Sequence, residues 1–540
     1  MLDLARSRWT IVEAVRQQAA RYGDREFAGF EDGRTLTFAG LDAESTAVAF
    51  GLARIGVRPG DRVLALMQNE VEFLPLLVGT NKLNAVFVTI NTGLKGSFLE
   101  HQLRNSAPRA VIVDAELMPA FDGIDLRAVG VEAVVVVGGT AATRRPELGG
   151  LPTIDFVGLP VSAGDPRVLA DPAPHDISTV MYTSGTTGPS KGVLMPHAHC
   201  YLLGYNLAAT MGLTETDVYY VCMPLFHANA LFMQTIGSLL CGARVAVIKR
   251  FSASRWLEDV RTCGATVTNG LGVMPEFIFR QPPTPYDRQH KLRAMMAVPI
   301  AAEWGPQFEA RFGVRLVQGF GLTETNIVCY TGPDEPLTPG CAGRVLTDWF
   351  DVQVVDPETD EVLPAGEVGE IVVRPTRPWC FMAGYLHMPE KTVEAWRNLW
   401  FHTGDAGHFD AQGRLFFVDR IKDCIRRRGE NISSYEVEQV INEHPAVAES
   451  AVIAVKSSIP GGEDEVKACI VLRPEQSLRP EALLDYCQER MPHYAVPRYV
   501  ECLSELPKTP TGKVQKEPLR KQSTSNQTWD REAVGYRVRR

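Results

Sequence analysis

The sequence predicts a mixed α/β protein: a large N-terminal domain of βαβ subdomains with a small β-barrel-like subdomain, followed by a small α+β C-terminal domain. Two patterns predict this class. Apolar strand-like runs alternate with helical patterns through the first half, which is typical of a mostly parallel sheet. After about Gly340, alternating polar and apolar residues around short turns indicate antiparallel strands. A length of 540 residues leaves room for several such units.

The first half supplies the parallel strands. Between the first two of them lies a helix over Glu70–Leu83, with apolar residues at helical spacing. The predicted strands there are Arg62–Met67, Ala85–Ile90, Ala110–Asp114 and Val134–Val137. The same pattern resumes later in the chain, with a helix over Trp256–Cys263 and strands over Ala243–Ile248, Thr266–Gly270 and Val314–Gln318.

The residue pattern of the second half is different. Within Gly343–Arg374, polar and apolar residues alternate on both sides of a polar turn, which predicts antiparallel strands. Further on, the expected elements are helix Tyr435–Asn442, strands Ser450–Val455 and Val466–Leu472, helix Pro480–Arg490 and strand Val496–Leu503. We therefore expect domains at residues 1–421 and 422–521, and a polar, loosely held tail at residues 522–540.

Composition excludes several classes of protein. The net charge of −9 argues against a general nucleic-acid binder, and no apolar run reaches the roughly 18 residues of a membrane span. The N-terminus lacks the apolar core of a signal peptide. Eleven cysteines without a CxxC pair indicate reduced thiols in a cytoplasmic protein, not a disulfide framework or a zinc site.

The most informative segment is the loop Tyr182–Gly192, which reads YTSGTTGPSKG and lies between a predicted strand and a predicted helix. Its glycines let the backbone turn tightly and direct N–H groups inward, while hydroxyls and Lys191 add donors and charge. This combination predicts a phosphate-binding loop. It is not a Walker A loop, because Ser190 stands where that motif has its second glycine. Segment Gln318–Glu324 is not a dinucleotide fingerprint either, since Glu324 replaces its third glycine.

This loop resembles the signature of the adenylate-forming superfamily, which comprises acyl-CoA synthetases, peptide-synthetase adenylation domains and firefly-type luciferases. Further motifs follow in the order of that family: Met223–His227 (MPLFH), Gly319–Glu324 (GFGLTE), Trp400–Asp405 (WFHTGD), Asp419–Asp423 (DRIKD) and Pro507–Lys513 (PKTPTGK). The resemblance spans nearly the whole chain. It implies that a carboxylate attacks the α-phosphate of ATP, and that a thiol then displaces AMP from the acyl-adenylate.

The resemblance also implies roles for individual residues. Lys513, carried by a mobile C-terminal domain, bridges the carboxylate and the α-phosphate, while His227 lies at the carboxylate end of the acyl pocket. Thr323 contacts the α-phosphate, and Glu324 with Thr183 holds Mg²⁺. Phe320 offers its ring to adenine. Relatives have a glycine-led adenine loop where this chain has Met296–Pro299.

The implied binding sets are larger. For ATP they are Thr183, Ser184, Gly185, Thr186, Thr187, Gly188, Lys191, Val298, Gln318, Gly319, Phe320, Gly321, Leu322, Thr323, Asp405, Arg420 and Lys513. The acyl pocket comprises His227, Asn229, Gly319 and Gly321; the CoA contacts are Arg428, Gly429 and Glu430; the domain hinge is Lys422.

The function that this resemblance implies is that of an ATP-dependent carboxylate–CoA ligase in the cytoplasm. Its expected cofactor is Mg²⁺, and its expected substrates are ATP, CoA and a small carboxylic acid. We expect neither nucleic acid nor an integral membrane as a partner. Alternatives are an enzyme that loads a separate carrier protein, a luciferase-type oxygenase and a pseudoenzyme that binds acyl groups or nucleotides. Polar Asn229 favours a polar or short acid, and segments Arg428–Ile432 and Thr528–Glu532 are similar to the crotonobetaine/carnitine–CoA ligase branch. Fatty, aryl and steroid-side-chain acids and the oligomeric state stay open.

Overall fold

The fold is taken from a computed structural model of the chain. It describes all residues except 3, 140–149, 184–188, 272–273, 299, 301–303, 339, 421–423, 428–429, 458–462, 508–513, 515 and 540. Among the residues that it describes, none of the helices combines the length and the apolarity that crossing a bilayer requires.

The helices lie mainly in the first half of the chain. They are α1 (Ile11–Tyr22), α2 (Phe38–Arg54), α3 (Phe73–Lys82), α4 (Gly96–Ser106), α5 (His197–Thr210), α6 (Gly237–Cys241), α7 (Trp256–Cys263), α8 (Met274–Phe279), α9 (Gly305–Phe312), α10 (Pro389–Ala395), α11 (Ser434–Asn442), α12 (Pro480–Gln488) and α13 (Lys516–Gln522). A π-helical segment, Asn229–Ile236, leads directly into α6.

The strands of the first half are β1 (Glu26–Phe30), β2 (Thr35–Thr37), β3 (Arg62–Leu66), β4 (Val86–Thr89), β5 (Ala110–Asp114), β6 (Ala133–Val137), β7 (Thr153–Asp155), β8 (Ile177–Thr183), β9 (Lys191–Pro196), β10 (Val218–Val221), β11 (Arg244–Val247) and β12 (Val267–Leu271).

The remaining strands are β13 (Ala294–Val298), β14 (Arg315–Val317), β15 (Gly319–Leu322), β16 (Asn326–Tyr330), β17 (Cys341–Val345), β18 (Phe350–Val355), β19 (Gly369–Pro375), β20 (Gly384–Tyr385), β21 (Phe401–Phe409), β22 (Arg414–Arg420), β23 (Cys424–Arg427), β24 (Glu430–Ser433), β25 (Val447–Val455), β26 (Glu465–Leu472), β27 (Tyr499–Cys502) and β28 (Trp529–Asp530).

The chain divides into two compact units. The first comprises residues Met1–Thr92, Leu103–Tyr182 and Gly192–Asp419; the second comprises Gly93–Gln102, Thr183–Lys191 and Arg420–Arg540. The second unit therefore includes two short segments from the first half of the chain, one of which is most of the phosphate loop.

Two mostly parallel sheets in the first unit confirm the βαβ prediction. One has the order β14-β13-β12-β10-β11-β1-β2, and the other has the order β20-β9-β8-β4-β3-β5-β6-β7. In the first sheet β12 and β13 run parallel with Leu271 opposite Val298. The inner strands, such as β13 and β6, are almost fully buried, as expected where helices cover both faces.

The third sheet has seven strands in the order β15-β16-β17-β22-β21-β19-β18. Its pairs are antiparallel, as the alternating sequence after Gly340 predicts. Within the described residues, β15 and β18 form two separate edges, so no closed barrel is detected. One continuous apolar core joins this sheet to the two parallel sheets.

The second unit contains a four-stranded sheet in the order β25-β26-β27-β28 and the hairpin β23-β24. The C-terminal tail differs from the prediction. It is not loosely held, because β28 pairs with β27, Arg498 forms an ion pair with Asp530, and the Tyr536 hydroxyl donates to Asp485 at 2.7 Å. The sequence shows the polarity of the tail but not the partners that fix it.

Candidate active site

We refer to the carboxyl edge of strands β10, β12 and β13 in the first parallel sheet as the crevice, because α/β folds bind ligands at such edges. The three strands end at the same edge because they are parallel. The strands themselves are buried, whereas His227–Asn229 after β10, Leu271 at the end of β12 and Val298 at the end of β13 are half-buried. These half-buried side chains lie at the end of the sheet where the strands finish, and three of the predicted site residues are among them.

The loop Met223–His227 is held in place from behind by two buried polar residues. Asn69 Nδ2 donates to the carbonyls of Met223 (3.0 Å) and Ile248 (2.9 Å), and its Oδ1 accepts from the Leu225 N–H at 2.7 Å. The Thr89 hydroxyl donates to the Phe226 carbonyl at 3.0 Å. These bonds fix the backbone that presents His227 to the crevice.

Strand β15 continues from the crevice towards Thr323 and Glu324. A Cβ at Gly319 would lie 3.0 Å from the Tyr330 ring and 3.2 Å from Met296, so a side chain there would crowd both neighbours. The Gln318 side chain donates to the Thr338 carbonyl at 2.8 Å, which anchors the start of this strand. The Phe320 ring faces the Phe417 ring with centroids 6.0 Å apart.

Two residues that the motifs do not include position Thr323 and Glu324. The Tyr385 hydroxyl donates to Glu324 Oε1 at 3.1 Å, and both side chains are buried. His199 is fully buried, with Nε2 2.8 Å from the Thr323 carbonyl oxygen and Nδ1 3.1 Å from that of Cys380. Burial lowers the pKa of His199, although both carbonyls and the charge of Glu324 oppose that shift.

Asp405 lies within β21 beside an irregularity in the pairing of β19 with β21, where one carboxylate bonds to the backbone. Its neighbour Gly404 has a φ of 72°, which disfavours residues with a side chain. Glu370 Oε1 accepts from the Gly404 N–H at 3.0 Å, and its Oε2 lies 2.9 Å from His402 Nδ1. Asp405 itself is buried. Glu370 therefore fixes the part of β21 that carries Asp405, one of the predicted ATP-binding residues.

The phosphate loop is described at its two ends. Thr183 ends β8 and Lys191 begins β9. Next to Lys191, the Ser190 N–H donates to Glu436 Oε1 at 2.5 Å, its carbonyl lies 2.9 Å from His101 Nε2, and its hydroxyl accepts from Gln102 at 3.1 Å. Burial raises the pKa of Glu436 to about 7, against the lowering effect of the Ser190 hydrogen bonds. All four residues belong to the second unit.

Several predicted site residues lie outside the described part of the chain: Ser184, Gly185, Thr186, Thr187, Gly188, Lys422, Arg428, Gly429 and Lys513. The side chain of Arg420, at the end of β22, is likewise not described, and Glu430 begins β24.

Sequence reasoning missed Asn69, His199, Glu370 and Tyr385. Of these, only Tyr385 has a local signal: it follows a glycine just before the Pro-led helix α10. The other three act on motifs that are distant in sequence, and a single sequence contains no sign of such pairing.

The donor set fits Mg²⁺ bound together with a nucleotide. In such sites one or two carboxylates complete a shell of phosphate oxygens and water. Glu324 supplies a buried carboxylate of this kind, oriented by Tyr385. Across the described part of the chain there is no group of three or more His, Cys, Asp or Glu that could hold a metal by itself.

Comparison with known proteins identifies this arrangement. Residues 15–386 match the AMP-binding enzyme family, and residues 436–513 match the AMP-binding enzyme C-terminal domain. The chain is 31% identical over 514 residues to a crotonobetaine/carnitine–CoA ligase from Salmonella typhi, covering 93% of this chain and 97% of that protein.

Two solved structures extend the comparison. An o-succinylbenzoate CoA synthetase from Bacillus subtilis, bound to a product analogue, superposes with a TM-score of 0.80 at 26% identity and covers 97% of this chain and 99% of its own. An anthranilate CoA ligase in complex with anthranoyl-AMP gives a TM-score of 0.70 at 27% identity, over 96% and 98% of the two chains.

The fold and the crevice thus define an adenylate-forming enzyme. The chain belongs to the AMP-binding enzyme family. Its activity is that of an AMP-forming acyl-CoA synthetase, which uses ATP to join a carboxylic acid to CoA through an acyl-adenylate. The predicted family, fold class, reaction and use of ATP and CoA are confirmed.

Proposed function

We propose that the acid is activated at the carboxyl edge of the seven-stranded parallel sheet by the residues that the motifs single out. The observation that carries this assignment is the course of one segment. Residues Gly319–Leu322 run from the crevice beside Met296 to Thr323 and to a buried, hydrogen-bonded Glu324. In this proposal one continuous segment of the chain contributes both to the acyl pocket and to the binding of the nucleotide.

The physical obstacle in the first step is repulsion between two anions. A carboxylate and a phosphate oxygen 3–4 Å apart repel by about 4–5 kcal/mol per charge pair at an effective dielectric near 20. The site must supply positive charge where the new bond forms. In our proposal Lys513 supplies it between the carboxylate and the α-phosphate. Glu324 and Thr183 would hold Mg²⁺, which would add further positive charge at the site.

The remaining residues bind and orient the nucleotide. The loop Thr183–Gly188 and Lys191 cradle the phosphates, and the Thr323 hydroxyl contacts the α-phosphate. Asp405 accepts hydrogen bonds from the ribose hydroxyls, supported by its burial in the part of β21 that Glu370 fixes. Arg420 adds a second ribose contact, while Phe320 and Val298 pack near adenine.

The proposed reaction has two steps. A carboxylate oxygen attacks the α-phosphorus, and the bond to the leaving pyrophosphate breaks. The CoA sulfur, having lost its proton, then attacks the acyl carbon, and the bond to AMP breaks. We propose that Lys422 is the hinge about which the C-terminal domain turns between the two steps. Arg428, Gly429 and Glu430 line the path of CoA.

Two features of the reaction in the cell belong to the proposal. A cytoplasmic location is supported by the described cysteines, which are free thiols and mostly buried. The acid is a small carboxylic acid, and the crotonobetaine/carnitine–CoA ligase relative favours a polar one.

Replacing the proposed catalytic lysine tests the assignment. Lys513→Ala should lower acid-dependent exchange of labelled pyrophosphate into ATP by orders of magnitude, since the repulsion between the two anions is no longer offset. Thioester formation from supplied acyl-adenylate should persist, because that step does not use this charge.

Lys291→Ala, which removes an exposed lysine, is the matched control and should leave both half-reactions unchanged. Equal loss of both half-reactions in the Lys513 variant would refute the role given to Lys513. A carrier protein that accepts the acyl group faster than CoA would favour the alternative acceptor.

A further inference from the structure

A buried polar cluster lies behind the crevice, beside the first residue of the π-helical segment. Asn229 Oδ1 accepts from Gln234 Nε2 and from Asn269 Nδ2, each at 2.8 Å. Asn269 Oδ1 in turn accepts from the Tyr219 hydroxyl at 2.5 Å. Gln234, Asn269 and Tyr219 are almost fully buried, whereas Asn229 is half-buried and borders the crevice.

These contacts fix the orientation of the Asn229 amide. Two N–H donors converge on its oxygen, so the oxygen faces the cluster and Nδ2 is the group left to donate elsewhere. Among the described residues none accepts a hydrogen bond from Asn229 Nδ2. The crevice therefore presents an amide donor whose position is set by two neighbouring amides.

The cluster has further unused hydrogen-bonding capacity. Gln234 Oε1 and the Tyr330 hydroxyl are both buried, and neither has a hydrogen-bond partner among the described residues. Tyr330 packs where a Cβ on Gly319 would touch its ring, which connects it to the predicted acyl pocket. Unpaired buried polar groups are costly, so these atoms favour a ligand or water that pairs with them.

The described cluster contains no ionised side chain. The charged groups that act electrostatically on Tyr219 are Asp217 and Arg293, which pair with each other at 3.1 Å. Both residues immediately precede strands β10 and β13, so they lie at the opposite edge of the sheet from Asn229. A ligand charge buried at the cluster would lack a counter-charge, and that is unfavourable.

We propose that the enzyme selects acids whose acyl chain carries an uncharged hydrogen-bond acceptor, such as a hydroxyl or carbonyl oxygen, and that Asn229 Nδ2 binds this group. Acids with a plain hydrocarbon chain, a second carboxylate or a quaternary ammonium are poorer substrates. This inference rests on the proposed acyl pocket and adds the class of acid to it.

Matched sets of acids test the selection. Each set contains a hydroxy- or oxo-acid, the hydrocarbon acid with the same number of heavy atoms, the corresponding dicarboxylic acid and a trimethylammonium acid. AMP release with ATP, Mg²⁺ and CoA gives kcat/KM for each. We expect the hydroxy- or oxo-acid to exceed the hydrocarbon acid by roughly tenfold or more, since a site built to donate a hydrogen bond discriminates against a ligand that lacks the acceptor.

Two variants assign the preference to Asn229. Asn229→Asp keeps an oxygen acceptor for Gln234 and Asn269 but removes the donor, so the kcat/KM ratio of the hydroxy- or oxo-acid to its hydrocarbon match should fall about tenfold. Asn229→Leu should lower the same ratio. Asn526→Leu, at an exposed asparagine, is the matched control and should leave the ratio unchanged.

The outcomes separate the two proposals. An unchanged ratio in Asn229→Asp, or equal or faster turnover of the hydrocarbon, dicarboxylic or trimethylammonium acid by the unaltered enzyme, would overturn this inference and leave the ligase function intact. Formation of ADP, or formation of AMP without acid, would overturn the proposed function itself.

Discussion

Glu324 shows how a single carboxylate depends on one neighbour. Its motif places it next to Thr323, but the orientation of its carboxylate comes from Tyr385, about sixty positions further along the chain. The Met382 N–H also donates to the Glu324 carbonyl at 3.0 Å, so the segment Met382–Tyr385 holds both the backbone and the side chain of this residue.

Replacing Tyr385 by phenylalanine removes the hydroxyl and keeps the ring. We expect the adenylation rate to fall about tenfold, because a hydrogen bond to a charged group contributes about 1.5–3 kcal/mol. The Mg²⁺ concentration needed for half-maximal pyrophosphate exchange should rise as well, since the carboxylate is less well oriented. A magnesium titration of the exchange reaction measures both effects.

The magnesium dependence distinguishes positioning from a general loss of structure. Tyr286→Phe, at an exposed tyrosine, should behave as the unaltered enzyme. If Tyr385→Phe lost stability while its magnesium dependence stayed unchanged, Tyr385 would have a purely structural role.

At the scale of elements, the acyl side of the crevice depends on the packing of α5 against the π-helical segment. Gly204 on α5 lies so close to this segment and to α6 that an added Cβ would be 2.7 Å from the Gly237 nitrogen and 2.9 Å from the Phe232 carbonyl oxygen. Both contacts are with backbone, which cannot rotate away. The two helical elements can approach this closely only because residue 204 has no side chain.

Gly204→Ala should therefore push the π-helical segment away from α5. We expect a loss of stability of about 1–3 kcal/mol from overpacking, seen as a lower Tm. Because Asn229 begins this segment, the KM for the acid should rise more than the KM for ATP. Thermal denaturation and steady-state kinetics measure the two effects.

Gly212→Ala is a useful comparison. This residue lies just beyond α5, and an added Cβ would meet nothing within 4 Å, although its φ of 58° adds some strain. A KM for ATP that rose as much as the KM for the acid in Gly204→Ala would contradict the proposed link between α5 and the acyl pocket.

At the scale of the whole molecule, the sequence predicts what is local and periodic. The parallel strands follow from apolar runs separated by helical patterns, and the motifs are contiguous, so their order survives without any three-dimensional information. The hydrogen bonds that support the motifs from distant parts of the sequence were not predictable, because Glu370, His199 and Asn69 meet their partners only after folding. The tail was misjudged for the same reason, since its polar residues pair with Arg498 and Asp485.

Stability of the whole chain should depend on pH through Asp114, at the carboxyl end of β5. Burial raises the pKa of its carboxyl to about 7, reinforced by Glu70 and opposed by the Gln68 N–H and by Lys249. Since the folded-state pKa lies above that of the unfolded chain, its stabilising contribution is fully present below about pH 4 and is lost as pH rises through 7.

Asp114→Asn cannot ionise, so the Tm of the unaltered protein should fall relative to this variant by about 2 °C or more between pH 5 and pH 8. Asp334→Asn, at an exposed aspartate, should track the unaltered protein throughout. A constant difference in Tm between Asp114→Asn and the unaltered protein over that interval would show that Asp114 stays ionised in the folded chain.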